Sequence, residues 1–457
     1  MHDLFFISAG QKDVKKSPNI INKRNLYLNY GLLGLASIAK KSGFNPILLH
    51  GNFSSPDDFL NECITLGIGY TKKPVFISMP SFYALSWLKE FTERLKSTFP
   101  SVRLVLGGRW VIDGQAELLH RELPEVGSII DGLGEGAITE ILNINDSQSS
   151  YSCLDYTILH RRHLYQAAIE VSRGCGRGCS FCQERNERLL APKDPKIIIG
   201  EAKNILLHDN LNKMNVYFEA SLFQPNATWT KKLIEQQNIN SCFFEWRAES
   251  RVDTLRAEII PLLAKSGLKV LDLGLESASP IQLERMEKTN RPEEYLARAS
   301  ELLYALNESE IHVKINVMLF AGENKFTVGE TYDWLETHKK LIKGVSVGPV
   351  IAFGWDDNKK DFIKQLSSFG ANALPMKQIG ITHLNLSNEI TYHDSLRISK
   401  EISKSFMTAE DYYYLKSFSY FPRDYSYIDF MNDVDQENED YSFSTSKGKI
   451  NDSHVLK

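Results

Sequence analysis

The feature that most constrains the fold is a regular alternation of short apolar segments with amphipathic ones. In the first 145 residues, apolar segments predict five strands, at residues 4–7, 46–50, 75–78, 103–106 and 128–130. Helical patterns lie between them, such as residues 85–95, where apolar positions are three or four residues apart. This alternation predicts a doubly wound parallel sheet with helices on both faces. Such sheets bind ligands in the crevice beyond the carboxyl ends of their strands.

A second series of the same kind follows a polar stretch at residues 143–152. Candidate strands lie at residues 167–172, 215–219, 242–246, 270–275, 312–319 and 344–351. Helical patterns between them include residues 254–265 and 293–307. Six βα units predict a partial (β/α)6 barrel, with its active site at the carboxyl ends of the strands.

The chain therefore divides into five predicted sections. They are an N-terminal α/β domain (1–145), a linker (146–165), the barrel (166–370), a C-terminal cap (371–430) and an acidic tail predicted to be disordered (431–457). An aromatic run at residues 412–427 has two interpretations. Packing against the barrel is favoured over lining a cap on the substrate.

Three of the six cysteines fall within eight residues. Cys175, Cys179 and Cys182 form a Cys-x3-Cys-x2-Cys loop directly after the first barrel strand. Random placement would give this spacing about 0.001 times in such a chain. Zinc sites and ordinary iron–sulfur sites take four protein ligands, so three thiolates leave one metal position open for another ligand. Glycines at positions 174, 176 and 178 make the loop flexible enough to surround an inorganic cluster.

This loop, with Phe181 before the third cysteine, resembles that of the radical S-adenosylmethionine (SAM) superfamily. The resemblance implies that the three cysteines hold a [4Fe–4S] cluster and that SAM chelates its open iron. One electron from the cluster would then cleave SAM and give a 5′-deoxyadenosyl radical. A zinc knuckle completed by Cys153, Cys242 or a histidine is the alternative, and the spacing and context disfavour it.

The same resemblance implies a set of SAM contacts. They are Phe181, Glu219, Arg247, Gly274, Glu276 and Ser277. Residues 274–277 match the family's Gly-x-Glu-Ser segment, and Phe181 would contact adenine mainly through its backbone. Glu219 ends the second barrel strand, where family members often carry an acidic residue near the SAM amino group. The usual Gly-Gly-Glu is replaced here by Phe-Glu-Ala. Arg247 is predicted to follow the third strand and approach the SAM carboxylate.

The first 145 residues resemble the Rossmann-type cobalamin-binding domain that precedes many radical SAM barrels. The elements that match supply the candidate cobalamin contacts Ser78, Ser81, Gly107, Gly108, Gly134, Glu135 and Gly136. The Asp-x-His-x-x-Gly motif, whose imidazole binds cobalt in many such domains, is missing, and His2, His50 and His120 have other contexts. Cobalamin-dependent radical methylases often lack that motif. The domain could also keep the fold without the cofactor.

The resemblance favours cobalamin-dependent methylation of an unactivated carbon in a natural-product or peptide substrate. Electrons would come from a flavodoxin- or ferredoxin-type donor. Cobalamin-independent cyclisation, rearrangement or oxidation is one alternative, and a non-catalytic iron–sulfur redox sensor is another. A methylthiolating enzyme fits less well, because only Cys63 lies in the first 150 residues and the C-terminus is acidic.

Composition sets outer limits on partners and location. The formal net charge is −4, and the six acids of residues 429–440 exceed that total, so the body of the chain is almost neutral. A neutral body suits a small-molecule or peptide substrate and argues against nucleic acid. There is no apolar run of 18 residues and no visible secretory signal, so no membrane association is expected. Six cysteines in 457 residues are too few for a disulfide framework, which predicts a reducing, cytoplasmic location.

Overall fold

The computed structural model describes residues 2–12, 19–111, 116–144, 154–209, 214–437 and 439–445. Cys153 and the first part of the predicted linker, residues 146–153, lie outside the described residues, as do residues 446–457 of the predicted tail. Within the described ranges, no helix is both long enough and apolar enough to cross a membrane.

The N-terminal domain is built on a five-stranded sheet in which all paired strands are parallel. Its strands are β1 (Leu4–Ser8), β2 (Pro46–His50), β3 (Val75–Ser78), β4 (Leu104–Gly107) and β5 (Ser128–Ile129). The order β2-β1-β3-β4-β5 places β1 beside β3, with the chain leaving the two strands toward opposite edges. Such a switch point forms the ligand crevice of an open α/β sheet. The predicted doubly wound sheet is confirmed.

Helices cover both faces of this sheet. They are α2 (Tyr30–Lys41), α3 (Pro56–Thr65), α4 (Leu85–Thr98), α5 (Ala116–Glu122) and α6 (Gly134–Leu142), whereas α1 (Ile20–Lys23) packs with C-terminal aromatic residues. Successive β1 residues face opposite cores, because side chains alternate along a strand: Phe6 packs with the α2 side and Phe5 with the α3 and α4 side. The Phe6 core is continuous with the barrel core, so the two domains share one hydrophobic interior.

The second domain is an open barrel of six parallel strands in consecutive order. They are β6 (Ala167–Glu170), β7 (Asn215–Glu219), β8 (Glu245–Arg251), β9 (Leu268–Glu276), β10 (His312–Leu319) and β11 (Gly344–Pro349). The helices of this domain are α7 (Pro195–Asp209), α8 (Ala227–Asn240), α9 (Ile260–Lys265), α10 (Pro280–Arg285), α11 (Pro292–Glu308) and α12 (Lys325–Thr337). The predicted partial barrel is confirmed.

The third barrel strand was predicted at the wrong residues. The apolar run 242–244 suggested a strand at 242–246, whereas β8 begins at Glu245 and continues to Arg251. Its inward positions carry Arg247, Glu249 and Arg251, so the strand alternates polar and apolar residues instead of forming an apolar run. Arg247 therefore lies inside a strand and does not follow one.

The C-terminal region folds against the edge and base of the barrel. It contains β12 (Ala352–Phe353), β13 (Asn372–Ala373), β14 (Ile381–Thr382), β15 (Leu384–Asn385), α13 (Asp356–Ser368), α14 (Tyr392–Ser405), α15 (Ala409–Ser417) and α16 (Tyr427–Glu437). The aromatic run forms its own buried cluster, in which Tyr412, Phe421 and Phe430 pack together with Val270 of the barrel. This packing agrees with the favoured interpretation of the run.

The acidic tail is ordered in the part that the structure describes, in contrast to the predicted disorder. Helix α16 buries Phe430 and Val434, and Tyr441 is buried beyond its end. Asp433 accepts a hydrogen bond from Arg24 at 2.9 Å. Phe430 and Val434 are four positions apart, so they lie on the same face of the helix and are buried together. This burial and the ion pair of Asp433 with Arg24 order the acidic segment.

Candidate active site

A cavity of about 1950 Å³ lies between the carboxyl edge of the N-terminal sheet and the barrel. It is lined by Ser8 and Ser78 from the sheet, Cys182 from the cysteine loop, and Arg247 and Lys314 from barrel strands. Pockets for a single small molecule usually measure about 300–1,000 Å³. The cavity therefore has room for a large cofactor together with other ligands.

The cysteine loop owes its shape to glycine. Gly174, Gly176 and Gly178 have φ angles of +73°, +63° and +77°, a backbone region that glycine adopts without a steric penalty. The Cys175 N–H donates to the Glu187 carbonyl at 2.9 Å, which pins the start of the loop to its end. The Ser180 N–H donates to the Met286 carbonyl at 2.9 Å, so the loop is also fixed to the barrel.

The three loop thiols lie close enough together for Cys179 and Cys175 to act electrostatically on Cys182, which lines the cavity. Burial raises the pKa of the Cys182 thiol, and the neighbouring charges of Glu184, Cys179 and Cys175 raise it further. Arg251 donates to the Cys179 sulfur at 3.1 Å, which would stabilise a thiolate there. Soft thiolates on one flexible loop are the donor set that iron–sulfur clusters use. Among the described residues, no group of three or more His, Cys, Asp or Glu side chains has the arrangement for a single metal ion.

Cys242, one of the residues considered for a zinc knuckle, lies elsewhere. Its side chain is buried in the main hydrophobic core together with Phe244 and Leu233. Cys63 is likewise buried, in the second core of the N-terminal domain. Both thiols therefore have a packing role, and the cluster loop offers its own three cysteines as ligands.

Alanine at Gly174 should disrupt the loop more than alanine at Gly178. Both substitutions place a side chain at positive φ, which costs roughly 1–2 kcal/mol. At Gly174 the new Cβ would also lie 2.8 Å from the Arg188 carbonyl carbon, whereas at Gly178 no atom lies within 4 Å. We expect Gly174→Ala to bind much less iron after reconstitution than Gly178→Ala, measured as iron per chain. Equal iron contents would show that the collision is relieved without cost.

The structure places two of the six predicted SAM contacts on the cavity, Phe181 and Arg247. Phe181 is half-buried, and its ring meets that of Phe320 edge-on at 6.5 Å. Arg247 is only 1% exposed and its guanidinium already pairs with Asp272. The prediction that Arg247 follows the third strand is therefore wrong, since β8 runs from Glu245 to Arg251.

The other predicted contacts do not line the cavity. Glu276, at φ +66°, pairs with Lys288 at 3.1 Å. A Cβ on Gly274 would lie 2.7 Å from the Glu276 carboxylate, so glycine leaves room for that carboxylate. Ser277 is buried and its hydroxyl lies 3.0 Å from that of Thr331. The side chains of Glu276 and Ser277 thus both interact with other side chains of the protein.

Glu219 lies within a group of charged side chains inside the barrel. Its pKa is raised to about 8, mainly by burial and also by the charges of Glu249 and Glu170, while Arg247 opposes this rise. The Glu249 carboxylate accepts a hydrogen bond from the Tyr217 hydroxyl at 2.5 Å. Glu170 lines the cavity and forms an ion pair with Arg173. The protonated form of Glu219 therefore persists at neutral pH, and this form can donate a hydrogen bond.

Six of the seven candidate cobalamin contacts line the cavity. They are Ser78, Ser81, Gly107, Gly108, Gly134 and Glu135, and Gly136 is the exception. At the switch point, the Asn29 amide donates to the hydroxyls of Ser8 and Ser78, at 3.1 and 3.0 Å. The buried Ser81 hydroxyl has no hydrogen-bond partner among the described residues. The site therefore presents serine and glycine positions to a ligand.

His50 has a structural role in the crevice. Its Nε2 accepts a hydrogen bond from the Asn29 N–H at 2.9 Å, and burial lowers its pKa to about 3. It does not line the cavity. The interpretation of His50 as an ordinary polar residue is consistent with this placement.

Three ion pairs that the sequence did not reveal join the glycine loops of the N-terminal sheet to the cysteine loop. Arg109, which follows Gly108, pairs with Glu184 at 2.8 Å and with Glu187 at 3.0 Å. Arg173, before the first cysteine, pairs with Glu135 at 2.8 Å. No local motif predicts these contacts. The position of Arg109 beside the Gly-Gly pair was the one available signal.

A comparison with protein-family models finds the radical SAM superfamily over residues 169–335. No curated protein sequence matches the chain. Among solved structures, the chain resembles the radical SAM methyltransferase TsrM from Kitasatospora setae with tryptophan substrate and a SAM analogue bound. The TM-score is 0.61 at 13% identity, covering 82% of this chain and 79% of that one. TsrM with cobalamin and a [4Fe–4S] cluster gives 0.55 at 14% identity, covering 76% and 75%.

The chain also resembles OxsB, a cobalamin-dependent radical SAM enzyme, with aqua-cobalamin and SAM bound. The TM-score is 0.54 at 15% identity, and the match covers 80% of this chain but 56% of OxsB. At these identities the likeness shows the fold. A radical SAM domain implies a [4Fe–4S] cluster and SAM, and the cysteine loop described above has the donors for that cluster. Residues 169–335 are a radical SAM domain, in a chain whose fold resembles that of TsrM over most of both chains and that of part of OxsB.

Proposed function

We propose that the protein is a cobalamin-dependent radical SAM methyltransferase that acts on an unactivated carbon of a small-molecule or peptide substrate. The observation that carries this proposal is the cavity of about 1950 Å³, which joins the cysteine loop to the glycine ends of the N-terminal sheet. TsrM and OxsB, which share the fold, bind cobalamin.

The cofactors would supply the reactive chemistry: radical formation from SAM at the cluster, and methyl transfer by the corrin. The chain holds and orients them. Cys175, Cys179 and Cys182 are the cluster ligands, and Arg251 stabilises the thiolate of Cys179. Phe181 forms part of the cavity wall beside the cluster loop. The hydroxyls of Ser78 and Ser81, with the open backbone at Gly107, are the polar contacts available to the corrin amides.

The ion pairs between the domains position the two cofactor sites. Arg109 is 43% exposed in its side chain, and exposed pairs contribute only about 0–1 kcal/mol to stability. Their proposed role is therefore to position the cysteine loop against the glycine loops, and their contribution to stability is small. No histidine is among the described residues that line the cavity.

We also propose a reducing, cytoplasmic setting with a flavodoxin- or ferredoxin-type electron donor. The five described cysteines are all free thiols, which suits such a setting. The chemistry needs a low-potential electron from outside the chain.

Anaerobic reconstitution with iron, sulfide and hydroxocobalamin tests this function. We expect the protein to retain both iron and corrin after gel filtration, with the corrin bands visible by absorbance. With SAM labelled by a trideuterated methyl group and a reductant, label should transfer to the bound corrin. A protein that cleaves SAM but never retains corrin would overturn the methyltransferase and leave cobalamin-independent radical chemistry.

The release of 5′-deoxyadenosine distinguishes both proposed enzymes from a redox sensor, which would release none. The wild-type protein with reductant and SAM should release 5′-deoxyadenosine. If the cluster forms and is reduced, yet no 5′-deoxyadenosine appears, the enzymatic proposals both fail.

A further inference from the structure

Arg251 connects the barrel to the middle cysteine of the loop. It is the last residue of β8, its side chain is 8% exposed, and its Nη1 donates to the Cys179 sulfur at 3.1 Å. A hydrogen bond weakens steeply when its donor turns away from the acceptor. The groups that fix the orientation of the guanidinium therefore control this contact.

The Asp253 carboxylate holds the guanidinium by a two-pronged ion pair. Arg251 Nε donates to Oδ1 at 2.8 Å, and Nη2 donates to Oδ2 at 3.0 Å. Two parallel hydrogen bonds fix the plane of a guanidinium as well as its position. The pair occupies the edge of the guanidinium that carries Nε and Nη2, and it leaves Nη1 for Cys179.

The segments that follow β9 complete the frame around the guanidinium. Arg251 Nη2 also donates to the Lys288 carbonyl at 2.8 Å, and the guanidinium carbon lies 5.9 Å from the centre of the Tyr295 ring. The Tyr295 hydroxyl donates to the Gly274 carbonyl at 2.9 Å, which fixes the ring. The Lys288 ammonium pairs with Glu276 at 3.1 Å. Gly274 and Glu276, two of the predicted SAM contacts, thus also belong to this frame.

A cation at a ligand sulfur favours the more negative state of an iron–sulfur cluster. Reduction adds one electron to the cluster, and hydrogen bonds to its sulfurs are among the factors that set its reduction potential. The Arg251 N–H at Cys179 therefore makes reduction easier. The negative charge of Asp253 has the opposite direct effect, because it disfavours the added electron. The support that Asp253 gives to Arg251 and its own charge thus change the potential in opposite directions.

We propose that Asp253 is a positioning residue, which raises the reduction potential of the cluster by directing the Arg251 N–H at the Cys179 sulfur. This inference rests on the proposed function, from which it takes Cys179 as a cluster ligand. It adds the residue that sets how readily the cluster accepts its electron. The Asp253 side chain is 18% exposed, so it can be replaced with little loss of packing.

The test is a redox titration of the reconstituted full-length protein without SAM, in which electron paramagnetic resonance measures the reduced cluster. Asp253→Asn keeps the shape of the side chain, removes its charge and replaces one accepting oxygen with an N–H donor. At the wild-type midpoint, we expect the ratio of reduced to oxidised cluster to fall about tenfold, which is ~59 mV for one electron. A direct charge effect would raise the ratio. Asp253→Glu keeps the carboxylate and should restore most of the ratio.

Arg251→Lys tests the same contact without changing the charge. An ammonium cannot form the two-pronged pair, so this variant should also lower the ratio, and it supplies the measurement if Asp253→Asn loses its cluster. Asp433→Asn is the matched control, because Asp433 holds Arg24 by the same two-pronged pair, at 2.9 and 3.3 Å. It should leave the ratio unchanged.

A ratio that is unchanged or raised in Asp253→Asn would overturn the inference, as would an equal fall in Asp433→Asn. Iron and corrin are measured on the same samples. A protein that holds the cluster, shows the expected fall and retains no corrin contradicts the methyltransferase and leaves the inference standing. A protein that retains cluster and corrin but shows no fall in Asp253→Asn or in Arg251→Lys contradicts the inference alone.

Discussion

Replacing Cys179 with alanine should abolish the iron–sulfur cluster and with it the cleavage of SAM. Cys179 is the central and most buried of the three loop cysteines, and Arg251 contacts its sulfur at 3.1 Å. Loss of a residue that merely supports a metal ligand typically costs 10–100-fold in affinity or activity. Loss of a ligand should cost more, so we expect 5′-deoxyadenosine formation to fall by more than about 100-fold, with iron per chain near background.

Cys242→Ala is the matched control for this experiment. It removes the same atoms from a buried thiol, but in the hydrophobic core outside the cysteine loop. It should lose some stability and keep its iron and its SAM cleavage. If both variants lost iron equally, iron retention would report folding alone. If Cys179→Ala kept a cluster with normal SAM cleavage, Cys179 would not be a ligand.

The parts of the fold predicted from the sequence are those set by local patterns. Strand β10 was predicted at its observed bounds, His312–Leu319, because apolar and polar residues alternate along it, and β3 at Val75–Ser78 because it is an apolar run. The cysteine loop was found because its spacing is itself the signal. Strand β8 was misplaced, since its inward residues are charged and pair with groups on other strands and with the C-terminal segment.

Contacts between distant parts of the chain could not be predicted from one sequence. Arg24 and Asp433 are 409 positions apart, and their pairing helps to order a segment that composition alone marks as disordered. Arg109 and Glu184 lie in different domains, so nothing near either residue indicates the pair.

Alanine at Gly108 should weaken cobalamin binding by about ten- to a hundredfold while leaving the iron content unchanged. Gly108 has a φ of +114°, and a Cβ there would lie 2.8 Å from both the Met79 nitrogen and the Ser78 hydroxyl. The collision would push the end of β3, which carries Ser78 into the cavity, away from β4. Strain of this kind costs about 1–3 kcal/mol, and each 1.4 kcal/mol is tenfold in affinity.

Gly132→Ala separates this collision from backbone strain. Gly132 also has positive φ, +87°, and lines the same cavity, but a Cβ there meets no atom within 4 Å. An absorbance titration with hydroxocobalamin should give nearly wild-type affinity for Gly132→Ala and a much weaker one for Gly108→Ala. The cysteine loop belongs to the barrel, so both variants should bind iron normally. Equal corrin affinities for the two variants would mean that the shape of the Gly107-Gly108 turn does not determine the site.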